Sequence, residues 1–114
     1  MNENEEVVSQ KIEAMLDAMW KSSAGAIAER VGSLRTAQTR LAGGTLDPVD
    51  REEAQAAAHK LAGILGTFGL PQGSILASKI ERLMTQDGAI DERHRALFSS
   101  WLDELETEIS SKER

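Results

Sequence analysis

The chain has 114 residues, a formal net charge of −6 and an isoelectric point near 4.9, with 40% hydrophobic and 28% charged residues. That length holds one core rather than two, so residues 1–114 are expected to form a single domain. The acidity argues against nucleic acid and anionic membranes as partners. No apolar run approaches the roughly 20 residues that span a bilayer, and without cysteine there is no disulfide or thiolate chemistry.

Ala, Leu, Glu, Lys, Arg and Gln dominate, tyrosine is absent and proline occurs twice. These residues lose least on entering a helix, which predicts an all-α fold. The acidic start, Met1 to Glu6, lacks a signal-peptide core, so a cytoplasmic location is expected. The first segment places Val8, Ile12, Met15, Leu16 and Met19 at steps of three and four, and the methionines read as core filler. Gly25 leaves two readings open, a break between two helices or a place inside one long helix. Ile27, Val31, Leu34 and Leu41 continue the period as far as Gly43-Gly44-Thr45. Trp20 is expected to cover the bundle end.

Asp47-Pro48 then reads as an N-cap with proline at the first helical position. Ala54, Ala57, Ala58, Leu61, Leu65 and Phe68 form the next apolar face, which Gly69-Leu70-Pro71 ends. Leu76, Ile80, Leu83 and Met84 form another, before the break Gln86–Asp91. Leu97, Trp101, Leu102, Leu105 and Ile109 form the last. Short loops between long helices favour antiparallel neighbours. The predicted architecture is an antiparallel up-down four-helix bundle with an additional N-terminal helix as a cap.

The stretch Ala58–Gly69 carries the chemistry. On a helical wheel His59 points roughly 150° away from the centre of the apolar cluster, among Gln55, Ala62, Gly63 and Gly66. A glycine inside a helix costs about 1 kcal/mol against alanine, so Gly63 and Gly66 call for a reason. One reason is access, because side chains there would block a large partner from the imidazole. The other is tight packing of a neighbouring helix against the glycines. Histidine suits phosphoryl transfer, since its neutral nitrogen is available near pH 7 and the N–P bond it forms is labile.

His59 followed by glycine at four, seven and ten positions, with the run Gly66-Thr67-Phe68-Gly69, resembles the histidine phosphotransfer (HPt) family. The resemblance implies a four-helix bundle with His59 as phosphoacceptor, passing a phosphoryl group between receiver-domain aspartates without autonomous catalysis. Lys60, Gly63, Gly66 and Glu81 are the supporting residues it implies. Glu81 lies 22 positions after His59, where chemotaxis-type members place a glutamate bonded to the imidazole; a solvated surface carboxylate is the alternative. Many members also carry lysine three positions after the histidine, where this chain has Ala62, so Lys79 and Arg82 become candidates to steady the phosphate. Partners implied are a response-regulator receiver domain and a hybrid histidine kinase, with the Mg²⁺ in the receiver and no cofactor or metal in this chain. A monomer is expected. His59 and His94 alone make a zinc site improbable. The competing reading is a helical module that docks a receiver or kinase without being phosphorylated.

Overall fold

A computed structural model describes residues 3–113. Four helices account for the described chain: α1 (Glu3–Ala42), α2 (Pro48–Thr67), α3 (Pro71–Thr85) and α4 (Glu92–Glu113). The fold is all-α, with no strand among the described residues.

The breaks follow local chemistry. Gly44, Gly69 and Gly88 adopt positive φ, which glycine reaches without steric cost. Asp47 caps α2 by accepting the Asp50 N–H at 2.8 Å, and Pro48 takes the first turn. At the other end of α2, Leu70 N–H donates to Leu65 O and Gly69 N–H to Gly66 O, the paired bonds of a Schellman ending. Asp91 caps α4 through the His94 N–H at 2.8 Å and also accepts from the His94 ring. That backbone donor first, and the ring second, hold the Asp91 carboxyl below its ordinary range.

Each helix packs on two neighbours: α1 on α2 and α4, and α3 on α2 and α4. The touching residues run in opposite directions along each pair. Arg35 bonds Glu106 and Asp103, while Gln38 bonds Ser99 and the Arg95 guanidinium reaches Leu41 O. Glu106 first, then Asp103, raise the Arg35 guanidinium above its ordinary pKa. Arg40 pairs with Asp50 at one end of the α1–α2 seam and Trp20 meets Phe68 at the other, edge to face with centroids 5.3 Å apart. The core between the helices includes Leu34, Leu61, Leu65, Ile80, Phe98, Leu102 and Leu105, all at 1% exposure or less.

The N-terminal region departs from expectation. There is no separate capping helix, because α1 runs unbroken through Gly25 for 40 residues. Ala24 and Ala26 flank that glycine, and no proline interrupts, so one weak position does not end the helix. A helix of that length spans about 60 Å, which matches the longest dimension of the molecule, 59 Å against 23 and 22 Å. The first buried residue of α1 is Trp20, and residues 3–19 are exposed. Met15 and Met19, expected in the core, are therefore 56% and 45% exposed, because none of the described residues of the other helices lies opposite them; Met84 is buried as expected.

Candidate phosphoacceptor site

The site stands on the seam between α2 and α3, and two groups of contacts fix the register there. At one end the Arg51 guanidinium donates to Met84 O at 2.9 Å and to the carbonyls of Leu83, Gln86 and Gly88. It thereby satisfies the orphan carbonyls at the end of α3. At the other end the Ser74 hydroxyl donates to Ala62 O at 2.8 Å. Between these clamps Glu81 arrives opposite His59.

The His59 side chain is 74% exposed, and its Nδ1 lies 2.9 Å from Glu81 Oε2. An ionised carboxylate only accepts, so this contact requires the hydrogen on Nδ1. In the neutral imidazole the Nε2 lone pair is then free. Glu81 is 25% exposed, which restrains its side chain against α3 while leaving the ring accessible. The two readings of Glu81 are thus separated by geometry, since it is a partner of the imidazole.

The glycines divide. A Cβ at Gly63 would meet nothing within 4 Å, as expected for a clearing beside the imidazole. A Cβ at Gly66 would lie 3.4 Å from Ser74 Oγ, so that glycine also serves the close approach of α3. The packing explanation thus holds at Gly66, while Gly63 borders open space. Gly73 does the same from the facing side, where a Cβ would stand 3.0 Å from Leu65 Cδ1.

The cations are not gathered around the ring. Lys60 is exposed, about 100° around α2 from His59. The Lys79 ammonium lies 5.9 Å from the Trp101 ring centroid on the α3–α4 seam, away from the face that Glu81 presents to α2. Arg82 is exposed, about 100° around α3 from Glu81, with no ion pair among the described residues. Ala62 is half-buried against Ser74. Ser74 escaped sequence reasoning; the small residue that α2 needs opposite Gly66 becomes visible only once the two helices are brought together. No group of three or more histidine, cysteine, aspartate or glutamate side chains able to hold a metal occurs among the described residues.

Residues 18–111 match the Hpt domain family. Protein RcaC of Microchaete diplosiphon is 28% identical over 100 residues, which cover 88% of this chain and 15% of that protein. No solved structure matches. The match over residues 18–111 takes in all of α2 and α3, including His59 and Glu81, and the chain belongs to the Hpt domain family, the histidine-containing phosphotransfer modules of phosphorelays that work with receiver domains and kinases.

Proposed function

We propose that His59 is the phosphoacceptor, and that the chain carries a phosphoryl group on it between the aspartates of two receiver domains. One observation carries this reading: the imidazole is largely in solvent while its Nδ1 is held by Glu81 at 2.9 Å. In the reading, Nε2 attacks the phosphorus of a receiver aspartyl phosphate. The N–P bond forms, the acyl P–O bond breaks, and the aspartate leaves as carboxylate. Positive charge developing on the ring is stabilised by Glu81 through the Nδ1–H. The return step reverses these changes on a second receiver. A receiver would supply the Mg²⁺ that neutralises charge on the phosphoryl group, and this chain supplies an oriented nucleophile.

The phosphate's own contacts follow from the same layout. Arg82 and Lys60 are exposed and unpaired among the described residues, so either side chain can swing toward a phosphate on Nε2. Lys79 would first have to leave Trp101. Incubation with a phosphorylated receiver should place an acid-labile, alkali-stable phosphate on the wild-type chain and none on His59→Gln. Equal labelling of the two would refute the assignment. The half-buried Ala62, with no ammonium at that position, favours a second reading, docking without phosphorylation; receiver binding with no transfer would establish it.

A further inference from the structure

The edge of α3 that meets α2 carries Ser74, Ser78 and Glu81, at steps of four and three. The outer two have partners on α2: the Ser74 hydroxyl donates to Ala62 O, and Glu81 meets the His59 ring. Ser78, between them, therefore stands across the seam from the span His59–Ala62. It lies about 60° around α3 from Glu81, on the side of the exposed Arg82, the direction in which the site opens to solvent. A serine in a helix ordinarily donates to a carbonyl one turn back. Of the five half-buried serines among the described residues, Ser23 and Ser33 do so, Ser74 donates to Ala62 O and Ser99 accepts from Gln38. The fifth, Ser78, makes no side-chain hydrogen bond among the described residues.

We propose that the Ser78 hydroxyl donates a hydrogen bond to an oxygen of the phosphoryl group carried on His59 Nε2. This rests on His59 as the phosphoacceptor and names the group that holds the phosphate there. Nδ1 is committed to Glu81 at 2.9 Å, so the phosphate enters on the other ring nitrogen. Room for it exists beside Ser78, because a Cβ at Gly63 would meet nothing within 4 Å and Ala62 ends at a methyl group. Phosphoryl oxygens accept, and Ser78 brings a donor that no protein group uses. The hydroxyl is short and fixed to the seam. Arg82 and Lys60, by contrast, lose side-chain freedom when drawn in from solvent. Ser78 thus supplies from α3 a contact that an ammonium at Ala62 would have supplied from α2. Close packing of the helices accounts for a small residue at position 78 but not for the hydroxyl, since alanine fills the same space and suits a helix better. A half-buried donor left without a partner calls for an acceptor, and the phosphoryl group is the one the site brings.

Phosphoramidate tests this on the full chain without a receiver. The Nε2–P bond forms, the reagent's P–N bond breaks, and ammonia leaves. At fixed phosphoramidate and ammonia, the ratio of phosphorylated to free His59, read on its ring by ¹⁵N NMR, measures how well the chain holds the group. Ser78→Ala keeps the seam residue small and removes only the hydroxyl. It should lower the ratio roughly 5- to 10-fold, the modest end for a hydrogen bond to a charged acceptor at a partly exposed site. Ser78→Asp, with a charge of the phosphate's own sign, should lower it further. The donor favours the phosphoryl dianion, so the ³¹P signal of Ser78→Ala should titrate at higher pH than that of wild type. The free chain of both should keep its hydrogen on Nδ1, which separates loss of the hydroxyl from displacement of Glu81. An unchanged ratio with an unmoved ³¹P titration in Ser78→Ala would overturn the proposal. So would a lowered ratio accompanied by a changed tautomer, which would make Ser78 a support for Glu81 only. A His59 ring that takes no phosphate in wild type refutes the phosphoacceptor reading itself; a ring labelled equally in wild type and Ser78→Ala refutes this contact alone.

Discussion

The two halves of α1 carry similar patterns and meet opposite fates. In the second half Trp20, Ile27, Leu34, Ala37 and Leu41 are sealed inside the bundle, at 0–6% exposure. In the first half (the extension) Val8, Ile12, Met15, Leu16 and Met19, centred roughly 50° around the helix from that face, stand at 38–56%. Both halves are helical, and no break separates them. The helix period therefore reports which face is apolar, and only the neighbouring elements decide whether it is covered. The bundle ends where α2 and α4, at 20 and 22 residues, run out of length beside a helix of 40.

The sharpest way to break this comparison is to remove the same kind of side chain from each half. Leu34 is fully buried, so Leu34→Ala should cost about 3 kcal/mol through lost apolar burial and the cavity left behind. Met15→Ala, at 56% exposure, should shift the stability of dilute chain by under about 0.5 kcal/mol. Chemical denaturation of both variants, followed by Trp20 and Trp101 fluorescence, measures the two costs. Similar values would mean that the extension packs on the bundle in solution.

The same division separates what the sequence made legible from what it did not. Breaks at Gly44, Gly69 and Gly88 and caps at Asp47 and Asp91 rest on local backbone chemistry, and they lie where that chemistry predicts. The outward direction of His59 rests on helical geometry alone and is likewise found. Misplacement of Met15 and Met19 has the opposite origin, since their burial depends on elements that α1 outruns. The pairing of Glu81 with His59 was implied only by the family resemblance, beside the alternative of a solvated carboxylate, and its 2.9 Å contact depends on the clamps made by Arg51 and Ser74. Lys79 looked equivalent to Arg82 as a cation near the site until Trp101 on α4 drew it aside.

Within α2 the glycines offer a smaller form of the comparison. At Gly63 a methyl group meets open space, so Gly63→Ala should stabilise the chain by about 1 kcal/mol, through the helix preference of alanine. Gly66→Ala should gain less, because its Cβ presses on Ser74 Oγ. A large side chain tests what the open space is for. Gly63→Leu should leave the fold intact and slow phosphotransfer from a receiver at least ~10-fold, by fouling approach to the ring. Unchanged transfer would show that the clearing plays no part in docking.

The smallest expected effect lies at the junction of the two halves. Gly25 has open space where a Cβ would stand and an ordinary negative φ. Alanine there should add roughly 0.5–1 kcal/mol of helix stability if α1 is one rigid rod in solution. Global denaturation will register only part of that gain, because the extension can fray while the bundle holds. Amide hydrogen exchange is the better measurement. Gly25→Ala should slow exchange from Ser22 toward the N-terminus and leave the amides around Leu34 unchanged. Slowing confined to residues next to position 25 would mean that the extension is already open on its own account, and that covering it, not stiffening it, sets its order.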